Sequence, residues 1–380
     1  MRPTKNRTAA LLVALPLALT ACGGGSSGSG AAGPIIAPPT AAVPGCGAKA
    51  ATDLSKIWPR EIARCDRGTP APRPLKAKTK VAVAIPAKTA DYAQALVWGV
   101  ASGEYARENL DVEIKIMPSA NTLPLLANEK LDATWSTQSA FFFNALNDGF
   151  DMRWVMSAHY PPPNAKEGLW VRNDRIRTVQ DLKGKTIASL VGPGSSVGYI
   201  IDNELKKSGL SIKDVKLKQF DAGSLVLALK QGAVDAAFLQ SPSWFQIKDD
   251  PAYRHIGASW TGEALSGPVF GPSLLRKRPE AGLAFVRASI RVYNTYFTGD
   301  YLSDKAFVAR LAQAMGTKPE ALTQAAPLMW DWEMRERSMA GLQKIFQQVG
   351  AVRYKDPIPD SRYIDRSFYR AAVGTAAKAQ

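Results

Sequence analysis

Residues 111–142, DVEIKIMPSANTLPLLANEKLDATWSTQSAFF, and residues 214–245, DVKLKQFDAGSLVLALKQGAVDAAFLQSPSWF, are two copies of one pattern set 103 positions apart. Seven of the 32 aligned positions are identical without a gap: Asp111/Asp214, Val112/Val215, Lys115/Lys218, Leu126/Leu229, Asp132/Asp235, Ala133/Ala236 and Phe142/Phe245. Apolar character is kept at further pairs, including Ile114/Leu217, Met117/Phe220, Leu131/Val234 and Trp135/Phe238. Each copy reads as strand, turn, helix, short strand, polar turn and helix, and the same shift carries Val81–Pro86 onto Gly184–Ser189. An internal repeat constrains the fold before any single element does. Strands alternating with helices form βαβ units. Two similar α/β lobes with mixed, mainly parallel sheets are therefore expected.

Working outward, Val112, Ile114 and Ile116 alternate as a strand does, whereas Ala93, Leu96, Val97, Val100 and Ala101 recur at helical spacing. The apolar strand Val81–Ile85 opens the globular part. Beyond about Pro279 the strands are expected to stop. Helices are predicted over Ala281–Phe297, Asp304–Met315, Met334–Val349 and Ile364–Val373, a helical C-terminal extension.

At the amino terminus Arg2, Lys5 and Arg7 precede an apolar run from Ala9 to Leu19, the pattern of an export signal and too short to span a bilayer. It ends in Leu19-Thr20-Ala21-Cys22, which resembles a bacterial lipobox with Cys22 as the lipidated residue. Removing residues 1–21 takes away three positive charges and lowers the formal net charge from +15 to +12. Export and the lack of dense Lys/Arg clusters interleaved with aromatics argue against a nucleic-acid partner. From Gly23 to about Lys78 the chain is rich in Gly, Ser, Ala and Pro, as a tether is. Cys46 and Cys65 remain for an oxidising compartment. Pairing them would close a loop of about 20 residues, worth roughly 3 kcal/mol in the chain-entropy model; the alternative is two free thiols.

In open parallel sheets ligands sit beyond the carboxyl ends of strands, where helix N-termini present free N–H groups. Two facing lobes give one cleft with two such rims. The repeat places them at Lys88–Tyr92, Pro118–Asn121 and Ser136–Ser139 in the first lobe, and at Gly192–Ser196, Asp221–Ser224 and Gln240–Ser243 in the second. Gly192-Pro-Gly-Ser-Ser196 lacks the Gly-Lys-Ser/Thr ending of a phosphate loop, and the third glycine of a dinucleotide fingerprint is displaced to Gly198. Tyr92, Tyr199 and Trp244 are candidate aromatic walls; each is also a reasonable core residue. His159, after the predicted strand Met152–Ser157, either reaches the cleft or is a satisfied loop histidine. Arg172 is either a counter-ion or a hinge-surface arginine. His159 and His255 are the chain's two histidines, and no nucleophile–base or metal-ligand spacing appears. No cofactor and no metal are expected.

The stretches GEYARENLDVEIKIMPSANTLPLLANEKLDAT, GLWVRNDRIRTVQDLKGKTIASLVGPGSS and LKQGAVDAAFLQSP resemble the periplasmic solute-binding proteins of the nitrate, sulfonate, taurine and thiamine-pyrimidine type, over roughly Val81–Leu275. The resemblance implies a type II periplasmic binding protein fold with hinge strands near Gly168–Arg172 and Val269–Leu275. The division that follows is a signal peptide at 1–21, a lipid-anchored flexible linker at 22–77, lobe 1 at 78–170, lobe 2 at 171–270, and completion of lobe 1 with C-terminal helices at 271–380. By position the ligand-contacting turns fall on Asn121, Thr137, Gln138, Gly194, Ser195, Ser196 and Gln240. Trp135 and Phe141-Phe142-Phe143 are bulkier than the small residues common there. The implied activity is capture of a small organic solute, such as a sulfonate, a pyrimidine or a related aromatic or polar compound, for an ABC permease and ATPase. The protein would be a monomeric lipoprotein on the periplasmic or cell-surface side. An enzyme on the same fold and a ligand-binding partner of a membrane sensor are the competing classes.

Overall fold

The computed structural model describes residues 43, 46, 63, 65, 68–86, 88, 93–161, 165–258, 266–334 and 339–374. Twelve strands follow in chain order among them: β1 Thr79–Ile85, β2 Leu110–Ile116, β3 Ala133–Thr137, β4 Arg153–Trp154, β5 His159–Tyr160, β6 Gly168–Arg172, β7 Thr186–Ser189, β8 Lys216–Gln219, β9 Ala236–Leu239, β10 Tyr253–Ala258, β11 Ser266–Phe270 and β12 Met329–Trp330. The α-helices are α1 Gln94–Ala101, α2 Ser119–Ala127, α3 Ala140–Asn147, α4 Ser196–Lys206, α5 Ala222–Lys230, α6 Pro279–Tyr296, α7 Lys305–Met315, α8 Pro319–Thr323, α9 Ala340–Gln348 and α10 Ser367–Val373. Among the described residues no helix is long and apolar enough to cross a membrane.

Two mixed five-stranded sheets are formed, ordered β2-β1-β3-β11-β4 and β10-β6-β9-β7-β8. In each, three consecutive strands run parallel with the first in the middle, and antiparallel strands complete the sheet. The repeat is thus one architectural unit used twice. Helices α2 and α5 begin at Ser119 and Ala222 and end at Ala127 and Lys230, both 103 residues apart. The first strands differ by one. Val83 pairs with Ile114 and Ala133, whereas Ile187 pairs with Leu217 and Ala236, so β1 maps onto β7 at a shift of 104 and the second lobe reaches its second strand one residue sooner.

The shared residues do the same work in both lobes. Leu126, Leu229, Ala133 and Ala236 are fully buried, and burying such an aliphatic chain is worth about 1.5–3 kcal/mol for the larger side chains. Asp132 accepts from the backbone N–H of Ala82 at 2.8 Å, and Asp235 from that of Thr186 at 2.9 Å. Each carboxylate satisfies the donor of a central strand beside its sheet, which explains why an acidic residue recurs at a half-buried position.

The chain leaves the first sheet after β4 and returns to it at β11: β6 lies wholly in the second sheet and β11 wholly in the first. Strands do not end at Pro279. Met329–Trp330 forms a two-residue ladder with His159–Tyr160, a pairing too short for any periodicity to announce. Helix α8 was equally silent for the same reason, and Arg153–Trp154 is all of the predicted strand 152–157 that is laddered.

Part of the Pro-rich amino-terminal stretch is built into lobe 1. Cys46 and Cys65 are joined by a disulfide. Val43 donates to Val373 at the end of α10, Cys65 N–H donates to Asn294 Oδ1 of α6, and Ala63 N–H donates to Asp331 Oδ1 beyond β12. Residues 70–75 are clamped by a buried quartet of charges: Arg291 pairs with Glu104 at 2.8 Å and with Glu108, Arg287 holds Glu108 through Nε at 3.0 and 3.1 Å, and both arginines donate to backbone carbonyls of Pro70 and Arg73. Burial pushes the Glu108 carboxyl up, but the two guanidinium groups more than offset this and hold it below the usual carboxylate range.

Candidate functional site

The two rims expected from the repeat meet. Ser139, before α3, and Ser195, before α4, form an isolated antiparallel bridge, and the Ala140 N–H donates to the Gly194 carbonyl at 3.0 Å. Ser195 caps α4: its Oγ accepts from the Gly198 N–H and donates to the Gly192 carbonyl at 2.6 Å. Gly198 is needed for this turn, because a Cβ there would stand 2.2 Å from the Pro193 carbonyl oxygen. The displaced third glycine of the sequence is therefore a packing requirement of the rim.

On the lobe 1 side of this seam a cavity of about 20 Å³ opens where α2 and α3 begin, room for a polar group the size of one or two waters. Its polar lining comes from Ser119, Thr122, Thr134, Ser136, Thr137, Gln138 and Ser139, and its apolar lining from Leu123, Phe141, Phe142 and Val269. Among the described residues no ionisable side chain lines it. Gln138, 2% exposed, follows β3 into the α3 turn, and neither its Nε2 nor its Oε1 has a hydrogen-bond partner. A buried carboxamide left so costs roughly 1–3 kcal/mol.

The other sequence candidates are distributed as follows. Asn121 and Thr137 are exposed on the same rim, Gly194 and Ser195 are half-buried at the seam, Ser196 is buried in the first turn of α4, and Gln240 is half-buried after β9. Tyr199 is buried with its ring against Gly341 of α9, where a Cβ would come within 2.5 Å of it. Helix α9 also abuts α3, and Asn144 of α3 holds the chain beyond α9 through the Ala351 carbonyl and the Arg353 N–H. Tyr199 thus sits in the joint between lobe 2 and the C-terminal helices. Trp244 lies in a 3-10 turn, Ser243–Gln246, inside the smaller apolar cluster of lobe 2, stacked 6.3 Å from Trp170, with its indole N–H donating to Ser241 Oγ. Arg172 pairs with Asp174 and donates to the Lys230 carbonyl at the carboxyl end of α5, away from the rims. Tyr92 and Cys22 lie outside the described residues.

His159 is half-buried, its ring 5.1 Å from that of Trp330. Burial pushes its imidazole down to about 3. A depressed histidine stabilises the fold while neutral, so its contribution is complete above the unfolded value of about 6.5 and is lost as pH falls from there toward 3. Stability measured by urea denaturation should therefore decline below pH 6.5, and His159→Phe should flatten that decline; an unchanged pH profile in the variant would assign the acid sensitivity elsewhere. Among the described residues no group of three His, Cys, Asp or Glu side chains could hold a metal ion.

Phe141 stands near a rim in the sequence, where a core position is the expected reading. It is 64% exposed at the start of α3 while Phe142 and Phe143 are buried, and it borders the Gln138 cavity. The signal was present in the sequence: three consecutive residues of a helix cannot all face one core, so one phenylalanine of the run had to point elsewhere.

The family described as NMT1/THI5 like matches residues 92–295, more than half of the chain. No curated protein matches it by sequence. Among solved structures it is similar to the alkanesulfonate-binding protein SsuA from Xanthomonas axonopodis pv. citri bound to MOPS, with 18% identity and a TM-score of 0.55 over 77% of this chain and 98% of that one. It is also similar to the periplasmic nitrate-binding protein NrtA from Synechocystis PCC 6803, with 13% identity and a TM-score of 0.56 over 79% and 89% of the two chains. A mutant of the enzyme DSZB in complex with biphenyl-2-sulfinic acid superposes with 14% identity and a TM-score of 0.53 over 78% and 99%. At these identities the likeness is one of fold: two mixed five-stranded α/β lobes with C-terminal helices, the type II periplasmic binding protein architecture.

Proposed function

Because the chain belongs to the NMT1/THI5-like family, we propose that it is the extracytoplasmic solute-binding component of an ABC importer, capturing a small organic solute between its lobes. The observation that carries this reading is the apposition of two repeat-derived rims, Ser139–Ala140 against Gly194–Ser195, beside a cavity whose buried carboxamide lacks a partner. A site built from hydroxyls, an amide and helix starts binds and orients. Capture between two lobes is also how a transport protein commits its cargo, by hinge closure around it. The lipobox-like Leu19–Cys22 supports export and lipid attachment at Cys22, and the membrane-facing partners are the permease and ATPase of the importer.

The enzyme reading draws on DSZB, which shares the fold. Against it, burial depresses the His159 imidazole, packed on Trp330, and the described residues of the seam, Ser139–Ala140 and Gly194–Ser195, supply hydroxyls and backbone amides. Incubating the pure protein with its bound solute should return the solute unchanged; a converted product would make it an enzyme.

The test of binding is native mass spectrometry of freshly purified protein followed by thermal-shift screening. A solute at 100 times its dissociation constant should stabilise the fold by about 2.7 kcal/mol. A protein that carries nothing and shifts with no small solute would end the solute-binding reading.

A further inference from the structure

We propose that residues 340–353, helix α9 and the turn after it, form a strut that seats lobe 2 on lobe 1, with Asn144 and Gly341 as its positioning residues. The two chain crossings join the lobes in any arrangement, whereas the strut's contacts with α4 exist only where the rims stand together.

The strut is fastened to lobe 1. Phe346 of α9 packs on Phe143 of α3, with ring centroids 6.0 Å apart. Asn144 of α3 binds the chain beyond α9 at two points: its Nδ2 donates to the Ala351 carbonyl and its Oδ1 accepts from the Arg353 N–H, both at 3.0 Å. Arg353 also pairs with Asp148, just past the end of α3. Gln343 of α9 fixes the return of the chain, donating to the Ile358 carbonyl and accepting from the Ile358 N–H, both at 2.8 Å. A segment held at so many points moves with α3.

The same segment meets lobe 2 at two close approaches. Gly341 lies against the Tyr199 ring of α4: a Cβ there would stand 2.5 Å from Cε2 and 2.6 Å from Oη. Beyond α9, Ala351 fills the space beside Gly194 of the lobe 2 rim, where an added Cβ would come 2.9 Å from the alanine Cβ. Each approach sets a glycine on one lobe against a side chain on the other. A glycine as the second residue of α9 weakens the helix, and the tyrosine ring that occupies the space accounts for it. The main apolar cluster also extends from lobe 1 into the α4 side of lobe 2, where it includes Val197, Tyr199, Ile200 and Ile201; the α5 side has a cluster of its own. Parting α4 from α9 therefore exposes apolar surface to water.

A contact made in one arrangement of two bodies favours that arrangement. The strut thus keeps the rims apposed before any solute arrives. On the solute-binding reading, it reduces the share of binding free energy consumed in bringing the rims together. Loosening either end of it shifts the empty protein toward parted lobes.

The reporter is the Ala140 N–H. It belongs to the first residue of α3 and has no acceptor within its helix; its partner is the Gly194 carbonyl of lobe 2, at 3.0 Å. Its hydrogen exchange, followed by NMR on the full chain freed of bound solute by unfolding and refolding, reads the parting of the rims. Asn144→Ala removes two hydrogen bonds at the lobe 1 end and should speed that exchange about tenfold. Gly341→Ala drives a methyl into Tyr199 and should speed it comparably, although helix propensity alone favours the alanine. Lys344→Ala, at an exposed position of α9, should leave it unchanged. In all three variants the Phe142 N–H, which donates to the Ser139 carbonyl at 3.1 Å within the same turn of α3, should exchange as in the wild type. Equal Ala140 exchange in Asn144→Ala, Gly341→Ala and the wild type overturns the proposal. Matching acceleration at Phe142 or in Lys344→Ala overturns it too, since the effect would then lie in fraying of α3 or α9. These outcomes leave the solute-binding reading untouched, because no solute takes part in the measurement.

Discussion

Glu108→Ala should cost the protein about 3–5 kcal/mol, the penalty for removing one partner from a buried ion pair. Glu108 is fully buried and serves two guanidinium groups: Arg287 through Nε and Nη2, and Arg291 through Nη1. Its carboxylate also accepts from the Arg73 N–H at 3.1 Å, and its carbonyl from the Leu75 N–H at 3.0 Å. Alanine leaves Arg287 without its carboxylate and Arg291 with Glu104 alone. Because domains are stable by only about 5–15 kcal/mol, this loss should be plain in urea denaturation. Residues 70–75 should then become the first site of proteolytic nicking. A loss below about 1 kcal/mol would show that the quartet is not what clamps this segment.

Gly198→Ala should lower ligand affinity at least about tenfold and stability by about 1–3 kcal/mol, the usual range for an overpacked site. The added methyl would meet the Pro193 carbonyl oxygen at 2.2 Å, its carbon at 2.8 Å and its Cα at 2.9 Å. These are backbone atoms, so no rotamer change relieves the clash and the turn itself must move. That turn carries Gly194 and Ser195, the lobe 2 half of the seam. Gly223→Ala in α5 is the stability control: a Cβ there meets nothing within 4 Å, and helix propensity should make it neutral or slightly stabilising. Equal melting temperatures and affinities for Gly198→Ala and the wild type would mean that the rim accommodates the methyl, and that the seam is not set by this turn.

Much of the fold was legible because repetition is a signal no propensity scale can imitate. Asp132 and Asp235 stood out as matched acids, and the structure gives them one shared task at the two sheets. The one-residue slip at β7 was invisible, since an alternating strand matches nearly as well one position off. Two-residue ladders such as β5 with β12 depend on residues 169 and 171 positions apart in sequence, so no local pattern encodes them. At the site, spacing put Gln138 on a rim turn but could not tell which way the Phe141–Phe143 run would turn. Trp244 was expected to stand partway along a helix, but that stretch is a 3-10 turn whose tryptophan packs on Trp170. Tyr199 lies under a helix more than 140 positions later in the chain. Tertiary partners settle such rings, and the sequence names no partners.

The fastening of residues 43–75 bears on how load passes through the molecule. The hydrogen bonds from Val43, Ala63, Cys65, Arg73 and Leu75 end on α10, α6, Asp331 and Glu108, all parts of lobe 1. A pull applied at Val43 is therefore borne by the first lobe. The second is joined to it by two chain crossings, by the Ser139–Ser195 bridge and by the packing of α4 on α9. Movement of one lobe against the other would leave these amino-terminal bonds unbroken, because both ends of each lie in lobe 1.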